Sequence, residues 1–544
     1  MAVSTQMQVD SSRHYRRAMS RYDYAMASVG GVIGSGWLFG AMYSAQMAGP
    51  AAILSWIIGG ILMIAIALPW CELGGLVPEA GSVARVPQMT HGSLVGGLAS
   101  WAIAIGAVFA APVESLAVVQ YAGGYISGLY SSTAGQLTVL GTFVAGLMVL
   151  VFFTINYYGI RYLRGTNTVV TTIKWVVPTL AMITVLISGY SNGGGANLSR
   201  TSSGGFMPFG FHGVIAAVAV GGIVYAYSGF RQPLDLAAEG KNPQRDVPVA
   251  LISTMLFALC LYTLLQLAFL VAVPAGDLGK GWAGINFSSP LAQLASGLGL
   301  GWLASILYVD GALSPSGSGN LFTGTASRLL YAVRKNGFYI KGFDKMSERG
   351  IPLVAQLIVL VLGILAILPV PSWHYLVELT SSLGLLTYAV GGPSLMVLRR
   401  IAPNRERKFS LGGWAGILGP ACFVIGALMF YWFGWPTTLQ TDIAMLVGLI
   451  VYFVYYSVFK FSPQDIKSGL WFIAMMVMVA VMSYLGSFGT GNLHVIAFPL
   501  DSIIVAVLAL IIHYWGVASG YETQAWKDFV NKVNLDLVES DVAD

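Results

Sequence analysis

The 544 residues predict an all-α polytopic membrane protein in which two five-helix halves form an inverted repeat, followed by four further helices. Three observations lead there. Only 9% of the residues are charged and 56% are hydrophobic, whereas a soluble globular chain carries about 25% charged residues. Fourteen apolar stretches each supply the roughly 20 residues that cross a bilayer core. The first and sixth stretches are each interrupted by a glycine-containing break, one at the start of each half. Backbone that leaves the helix inside a bilayer must find other partners for its N–H and C=O groups, so paired breaks mark a buried site where the helices open.

The first stretch, near 24–48, holds the break Gly30-Gly31-Val32-Ile33-Gly34-Ser35-Gly36. Stretches near 51–77, 96–129, 134–158 and 166–190 complete the first half. The sixth, near 211–237, opens the second half and holds the break Tyr225-Ala226-Tyr227-Ser228-Gly229-Phe230. Stretches near 247–274, 299–331, 351–371 and 374–399 follow. An odd number of spans per half turns the second half over relative to the first. The last four, near 412–434, 437–458, 467–487 and 500–518, carry few polar residues and read as a lipid-facing or oligomer-facing addition. The expected organisation is an arm over 1–21, a core over 22–400, the added helices over 401–518 and a tail over 519–544. The polar connection 275–298 is long enough to act as a lid.

Basic residues fix the expected orientation. Arg13, Arg16, Arg17 and Arg21 precede the first stretch, and Arg85, Arg161, Arg164, Lys241 and Arg245 occupy alternate connections. Arg328 to Arg349 and Arg399 to Lys408 continue the pattern, while the opposite connections hold only Arg200 and Lys280. That asymmetry predicts a cell-membrane protein with both termini in the cytoplasm. The first twenty residues are polar and do not read as a cleavable signal peptide. Cys71, Cys260 and Cys422 all lie in apolar stretches and suggest no disulfide framework. Histidines show no metal-ligand spacing, and Gly276 to Gly281 lacks the residues of a phosphate loop, so no cofactor, metal site or enzyme chemistry is expected.

The first break has a chemistry of its own. Where the outer half-helix restarts, freed N–H groups and the positive end of its dipole suit a carboxylate. Carbonyls at the end of the inner half-helix suit an ammonium group or a cation. The two together suit the ends of an amino acid, although glycines also serve close helix packing alone.

Several motifs now converge. Gly30 to Phe39 (GGVIGSGWLF), Glu72 to Gly81 (ELGGLVPEAG), Ser228-Gly229-Phe230 through Ala237-Ala238-Glu239-Gly240-Lys241-Asn242-Pro243-Gln244-Arg245-Asp246, Ala326 to Ala332 and Arg349-Gly350-Ile351-Pro352 resemble the signatures of amino acid–polyamine–organocation transporters. The resemblance covers roughly residues 22–400. It implies a leucine-transporter-type 5+5 inverted repeat, alternating access, and amino acids or related amines as substrates. By position, the substrate carboxylate would meet Ser35 and Gly36 beside Gly34. Its ammonium would meet carbonyls around Val32, Ile33 and Tyr225 to Ser228, Tyr227 included. Trp37 is bulkier than the family usually has there.

Lys174 sits eight residues into its stretch, about 12 Å of helix. An ionisable group at that depth is a functional residue by default, though its long stem could also carry the amine back toward the interface. Some proton-coupled relatives have a lysine in this helix where sodium-coupled ones bind sodium, which implies that Lys174 carries the transported proton. Arg231 replaces the acid that the family commonly has after Gly-Phe. Its planar fork suits a substrate side-chain carboxylate, or it pairs with Asp235 one turn on. Glu114 and Asp310 are further acids inside apolar stretches, able to neutralise these cations or to carry a proton. Ser314, Ser316 and Ser318, around Pro315, could supply hydroxyls near Lys174. The expected function is proton-coupled symport of amino acids, acidic ones foremost, with the lipid bilayer as the other partner. An amino acid exchanger and a non-transporting amino acid sensor are the alternatives.

Overall fold

The computed structural model describes residues 19–79, 81–158, 163–237, 240–335, 352–459 and 462–543. Most of the N-terminal arm, Glu239, and the segment holding Arg349-Gly350-Ile351 lie outside the described residues. The chain is built almost wholly of helices. Among the described residues, ten are long and apolar enough to cross a membrane, or eleven if one bent pair counts as a single span. This is a multi-pass membrane protein. Helices occupy all fourteen apolar stretches, but the fourteenfold count does not follow from length and composition alone. The helix in stretch 351–371, Leu353–Ile367, has only 15 residues, and Gly301–Lys335 is not among the ten.

The first stretch folds as α1 (Arg21–Val32) and α2 (Gly36–Ala48). Ser20 and Asp23 form a capping box that starts α1. The break is therefore confined to Ile33-Gly34-Ser35, and Gly30 and Gly31 remain helical. A single 3-10 turn, Gly49–Ala51, leads into α3 (Ala52–Leu76). Then come α4 (Ser82–His91), α5 (Ser93–Ala122), a short hairpin of β1 (Tyr130–Ser131) and β2 (Gln136–Leu137), α6 (Val139–Tyr158) and α7 (Leu163–Ser191).

The sixth stretch breaks earlier than its aromatic run suggests. It comprises α8 (Gly210–Val220), α9 (Ile223–Tyr227), a 3-10 turn over Ser228–Arg231 and α10 (Gln232–Asp235). The 46° bend lies at Gly221-Gly222, where Gly222 adopts φ +82°, a backbone that favours glycine. Tyr225 and Tyr227 sit on a helical turn just beyond it.

The two broken spans pack against each other antiparallel. A Cβ on Gly229 would lie 2.1 Å from the Gly31 carbonyl carbon, and one on Gly36 would lie 3.1 Å from Ala226 Cα. Further along, Ser44 Oγ donates to the Gly221 carbonyl at 3.2 Å. As numbers rise in the first span they fall in the sixth, and only residues without side chains permit this approach.

The second set continues with α11 (Pro243–Ala272), α12 (Pro290–Gly297), α13 (Gly301–Lys335), α14 (Leu353–Ile367), α15 (Trp373–Ala389) and α16 (Gly391–Ile401). α5 runs alongside both α13 and α15, and α7 lies against α11, α13 and α1. The 275–298 connection folds over the end of α2 and buries Leu278, Trp282 and Ile285.

The last helices are α17 (Ala415–Tyr431), α18 (Thr437–Phe459), α19 (Pro463–Leu485), α20 (Leu500–Ser519) and α21 (Gln524–Ala543). They are more than a lipid-facing addition. α17 packs on α3, α15 and α16. Asp465 accepts from Ser93 N–H at 3.0 Å, and Asp501 accepts from Tyr431 at 2.6 Å. Lipid-facing character is concentrated in α18 and α20, where Ile443, Ile450, Val454, Ile503 and Ile511 are exposed.

Candidate functional site

Ser35 is the hinge of the first break, and it is fully buried. Its N–H points out of the N-terminal end of α2 toward Glu114 on α5, 3.1 Å from one carboxylate oxygen and 3.4 Å from the other. A Cβ on Gly34 would lie 2.8 Å from the same carboxylate, so glycine is what lets Glu114 come this close. Tyr225, from α9, donates its hydroxyl to Glu114 at 2.8 Å. Trp373, the first residue of α15, donates its indole N–H to Ser35 Oγ at 2.8 Å. One of the donors expected to receive a substrate carboxylate, the Ser35 N–H, holds a carboxylate of the protein itself, where the dipole of α2 favours negative charge.

The other side of the break is cationic. Lys174 on α7 donates to the Gly30 carbonyl at 3.2 Å and to Ser318 Oγ at 2.5 Å. Its side chain is buried, so the amine has not reached back to an interface. It sits at the C-terminal end of α1, where a helix dipole favours positive charge. Beside it, Tyr262 on α11 donates to the Val32 carbonyl at 2.8 Å. Opposite charges thus bracket three residues of non-helical backbone.

The other expected site residues divide. Ser228 turns its hydroxyl back onto the Tyr225 carbonyl at 2.8 Å, and its own carbonyl accepts from Tyr388 at 3.2 Å. Tyr227 points away from Ser35 into the packing of α3 and α11. Its ring lies edge-on to Trp56 and Tyr262, and its hydroxyl donates to the Trp56 carbonyl at 3.4 Å. Arg231 Nε lies 3.6 Å from Asp235 Oδ2, with both side chains largely buried, and the guanidinium also hydrogen-bonds to Tyr388 of α15. Trp37 is buried in the core and leaves its indole N–H without a hydrogen-bond partner. Of the three serines around Pro315, Ser318 meets Lys174. Asp310 is buried higher on α13, and neither of its oxygens has a hydrogen-bond partner.

Trp373, Tyr262 and Tyr388 escaped the sequence reading. Each stands in or beside an apolar stretch, where an aromatic residue reads as interfacial belt or packing. Trp373 also joins the site to one face of the protein. Its ring packs on Phe39 at 4.9 Å and on Tyr43 at 5.5 Å, and Tyr43 stacks on His374 at 4.2 Å. His374 Nε2 lies 2.6 Å from the Val220 carbonyl oxygen at the end of α8. Toward the other face, Arg21 pairs with Asp246 at 3.0 Å, and Tyr24 donates to the Ala237 carbonyl at 3.1 Å. The break is enclosed from both sides.

Two broken spans packed side by side, with charged groups from neighbouring helices gathered around unwound backbone, are the arrangement of a membrane transporter. Residues 20–431 match the amino acid permease family, and the chain belongs to that family, within the amino acid–polyamine–organocation superfamily. The chain is 36% identical to the glutamate/serine transporter AimA of Bacillus subtilis, over 96% of this chain and 97% of that one. It is also 36% identical to the aspartate-proton symporter of the same organism, over 93% and 97%. The branched-chain amino acid permease BcaP of Bacillus subtilis is 24% identical over 81% and 93%. The family and these relatives are transporters, and the chain is an amino acid transporter and not an enzyme.

Proposed function

We propose that this chain is a proton-coupled symporter that carries aspartate, glutamate or serine by alternating access. In this reading it has fourteen spans, a 5+5 inverted repeat over its core, and both termini in the cytoplasm. The observation that carries the reading is the Glu114 carboxylate on the Ser35 N–H. A substrate carboxylate needs the same donor. It can take that donor only after Glu114 gives it up, and a protonated, neutral Glu114 holds it far more weakly than a carboxylate does. Proton binding therefore opens the substrate site, which is the logic of symport. Lys174 reads the same event from the other side, because Glu114 is one of its electrostatic partners. The names of the two relatives at 36% identity support acidic amino acids and a proton. Arg231 is not what carries this choice, because Asp235 and Tyr388 are its partners in this structure.

Reconstitution tests the proposal. Proteoliposomes under an inward proton gradient should accumulate labelled L-aspartate, L-glutamate or L-serine. In Lys174→Ala the ratio of proton-driven uptake to counterflow should collapse. Uptake that requires internal substrate and ignores the proton gradient would make the protein an exchanger.

A further inference from the structure

Three buried polar groups near the face that carries the 275–298 connection have no hydrogen-bond partner: Ser289 Oγ, both carboxylate oxygens of Asp310, and Ser314 Oγ. Orphaned polar groups are uncommon in a folded core, and each calls for an explanation. These three are not scattered. A Cβ on Gly124 would touch both Ser289 Oγ, at 1.9 Å, and the Tyr308 ring, at 3.2 Å, so Ser289 stands close to Tyr308. The Tyr308 ring packs at 5.9 Å against Tyr121 and at 5.1 Å against the exposed Tyr125. Asp310 lies two residues further along α13, and a Cβ on the adjacent Gly311 would be 2.3 Å from the Tyr121 ring.

From Asp310 the polar face continues inward. Asp310, Ser314 and Ser318 are spaced four residues apart on α13 and are all buried. Residues four apart in a helix lie on one face, about 6 Å apart along the axis. The stripe ends at Ser318 Oγ, which is 2.5 Å from the Lys174 amine. A Cβ on Gly34 would be 3.6 Å from the same Ser318 oxygen, which puts the end of the stripe beside the first break. The titratable groups that face Asp310 are Tyr121 from α5 and Lys174 from α7. Those that face Lys174 are Glu114 from α5 and Asp310 from α13.

We propose that Asp310 is the proton inlet of the transporter, receiving a proton from the face of the 275–298 connection and passing it along the Ser314–Ser318 stripe to Lys174. The proposal deepens the proton-coupled reading and rests on it. In the transfer, which begins from the state in which Lys174 has lost its proton, the O–H bond of protonated Asp310 breaks and an N–H bond forms on the neutral Lys174 amine. Ser314, Ser318 and the water that spans the 6 Å steps each accept one proton and release one, so they end unchanged. Asp310 is left as a carboxylate and Lys174 as an ammonium. Polar groups of this kind, spaced too far apart for direct contact, are what ordered water bridges in protein interiors.

The test uses the full chain in proteoliposomes with labelled L-aspartate, L-glutamate and L-serine. Asp310→Asn keeps the shape and removes the exchangeable proton. The expected result is a fall in the ratio of proton-driven uptake to counterflow by about a hundredfold, the lower end of what a positioned proton-transfer group contributes. The dependence of uptake on pH at the inlet face should flatten with it. A purely structural role would lower both fluxes together and keep the ratio. An unchanged ratio in Asp310→Asn overturns the proposal. If that variant does not fold, Ser314→Ala decides, and an unchanged ratio there overturns it equally. Loss of proton drive in Lys174→Ala with Asp310→Asn unaffected rejects the inlet and leaves proton coupling standing. A wild-type protein that ignores the proton gradient rejects both.

Discussion

At the first break, groups from three other helices converge on Ile33-Gly34-Ser35. Glu114 of α5 meets Ser35 N–H, Trp373 of α15 meets its hydroxyl, and Lys174 of α7 meets the Gly30 carbonyl one turn below. The sixth stretch bends at Gly221-Gly222 and draws almost no charge from elsewhere. Its ion pair, Arg231 with Asp235, lies within the span and takes only a neutral hydroxyl, that of Tyr388, from outside, and its carbonyls at Gly221 and Ser228 are taken by hydroxyls of Ser44 and Tyr388. The same backbone problem, unpaired groups within a bilayer, has two solutions. One break is held open by removable charged partners, and the other is closed by neutral ones. A removable partner can be exchanged for a substrate. A neutral hydroxyl on a carbonyl gives an incoming ion little to replace, which suits the second break to motion and closure.

The largest expected effect tests whether the second break is self-contained. Arg231→Ala leaves Asp235 buried without its partner, and breaking a buried pair in this way costs about 3–5 kcal/mol. Thermal unfolding in detergent should show a large loss for Arg231→Ala, and most of it should return in Arg231→Ala/Asp235→Ala. Uptake should return with it. A double variant that regains stability but not transport would make Arg231 a substrate ligand and erase the contrast between the breaks.

A smaller effect tests the seam between the two spans. Gly229→Ala forces a methyl to within 2.1 Å of the Gly31 backbone, which no side-chain adjustment relieves. Overpacking of this kind costs about 1–3 kcal/mol. Gly36→Ala meets Ala226 at 3.1 Å and should cost less. Equal unfolding temperatures for the two variants would mean that the spans separate freely and that the glycine contact does not set their distance.

Much of this was legible in the chain. The first break showed itself because glycine in an apolar run has few uses, and Lys174 because a lone amine in such a run has fewer. Ser318 was expected near Lys174 among the three serines around Pro315, which stood out against apolar neighbours, and it is the one that meets the amine. The second break was misread by a few residues. Tyr225 to Phe230 drew attention by its aromatic character, while the bend depends on the positive φ that Gly222 supplies. Trp373 and Tyr388 could not be read at all. Their contacts to Ser35 and Ser228 cross 338 and 160 residues of sequence, and only the fold brings them together. Nor did spacing reveal that Glu114 would occupy the Ser35 N–H, the donor expected to meet a substrate carboxylate, because that depends on how closely α5 approaches α2.

The finest test sets these two unread residues against each other. Trp373→Phe removes one donor from Ser35 and keeps an aromatic ring against Phe39 and Tyr43. Tyr388→Phe removes one donor from the Ser228 carbonyl, together with the hydroxyl's hydrogen bond to Arg231, and keeps its ring against Phe230. A single neutral hydrogen bond contributes about 0.5–1.5 kcal/mol and one to a charged group more, so Trp373→Phe should lose a small amount of stability and Tyr388→Phe a larger one. Their transport should differ. In the proposed reading the Ser35 hydroxyl lies where a substrate carboxylate replaces Glu114, and Trp373 is its hydrogen-bond donor, so KM should rise several-fold in Trp373→Phe. The Ser228 carbonyl lies in the span that closes on itself, so KM in Tyr388→Phe should match the wild type. Equal shifts in KM would show that substrate touches both breaks and that the neutral hydroxyls of the second are as exchangeable as the charges of the first.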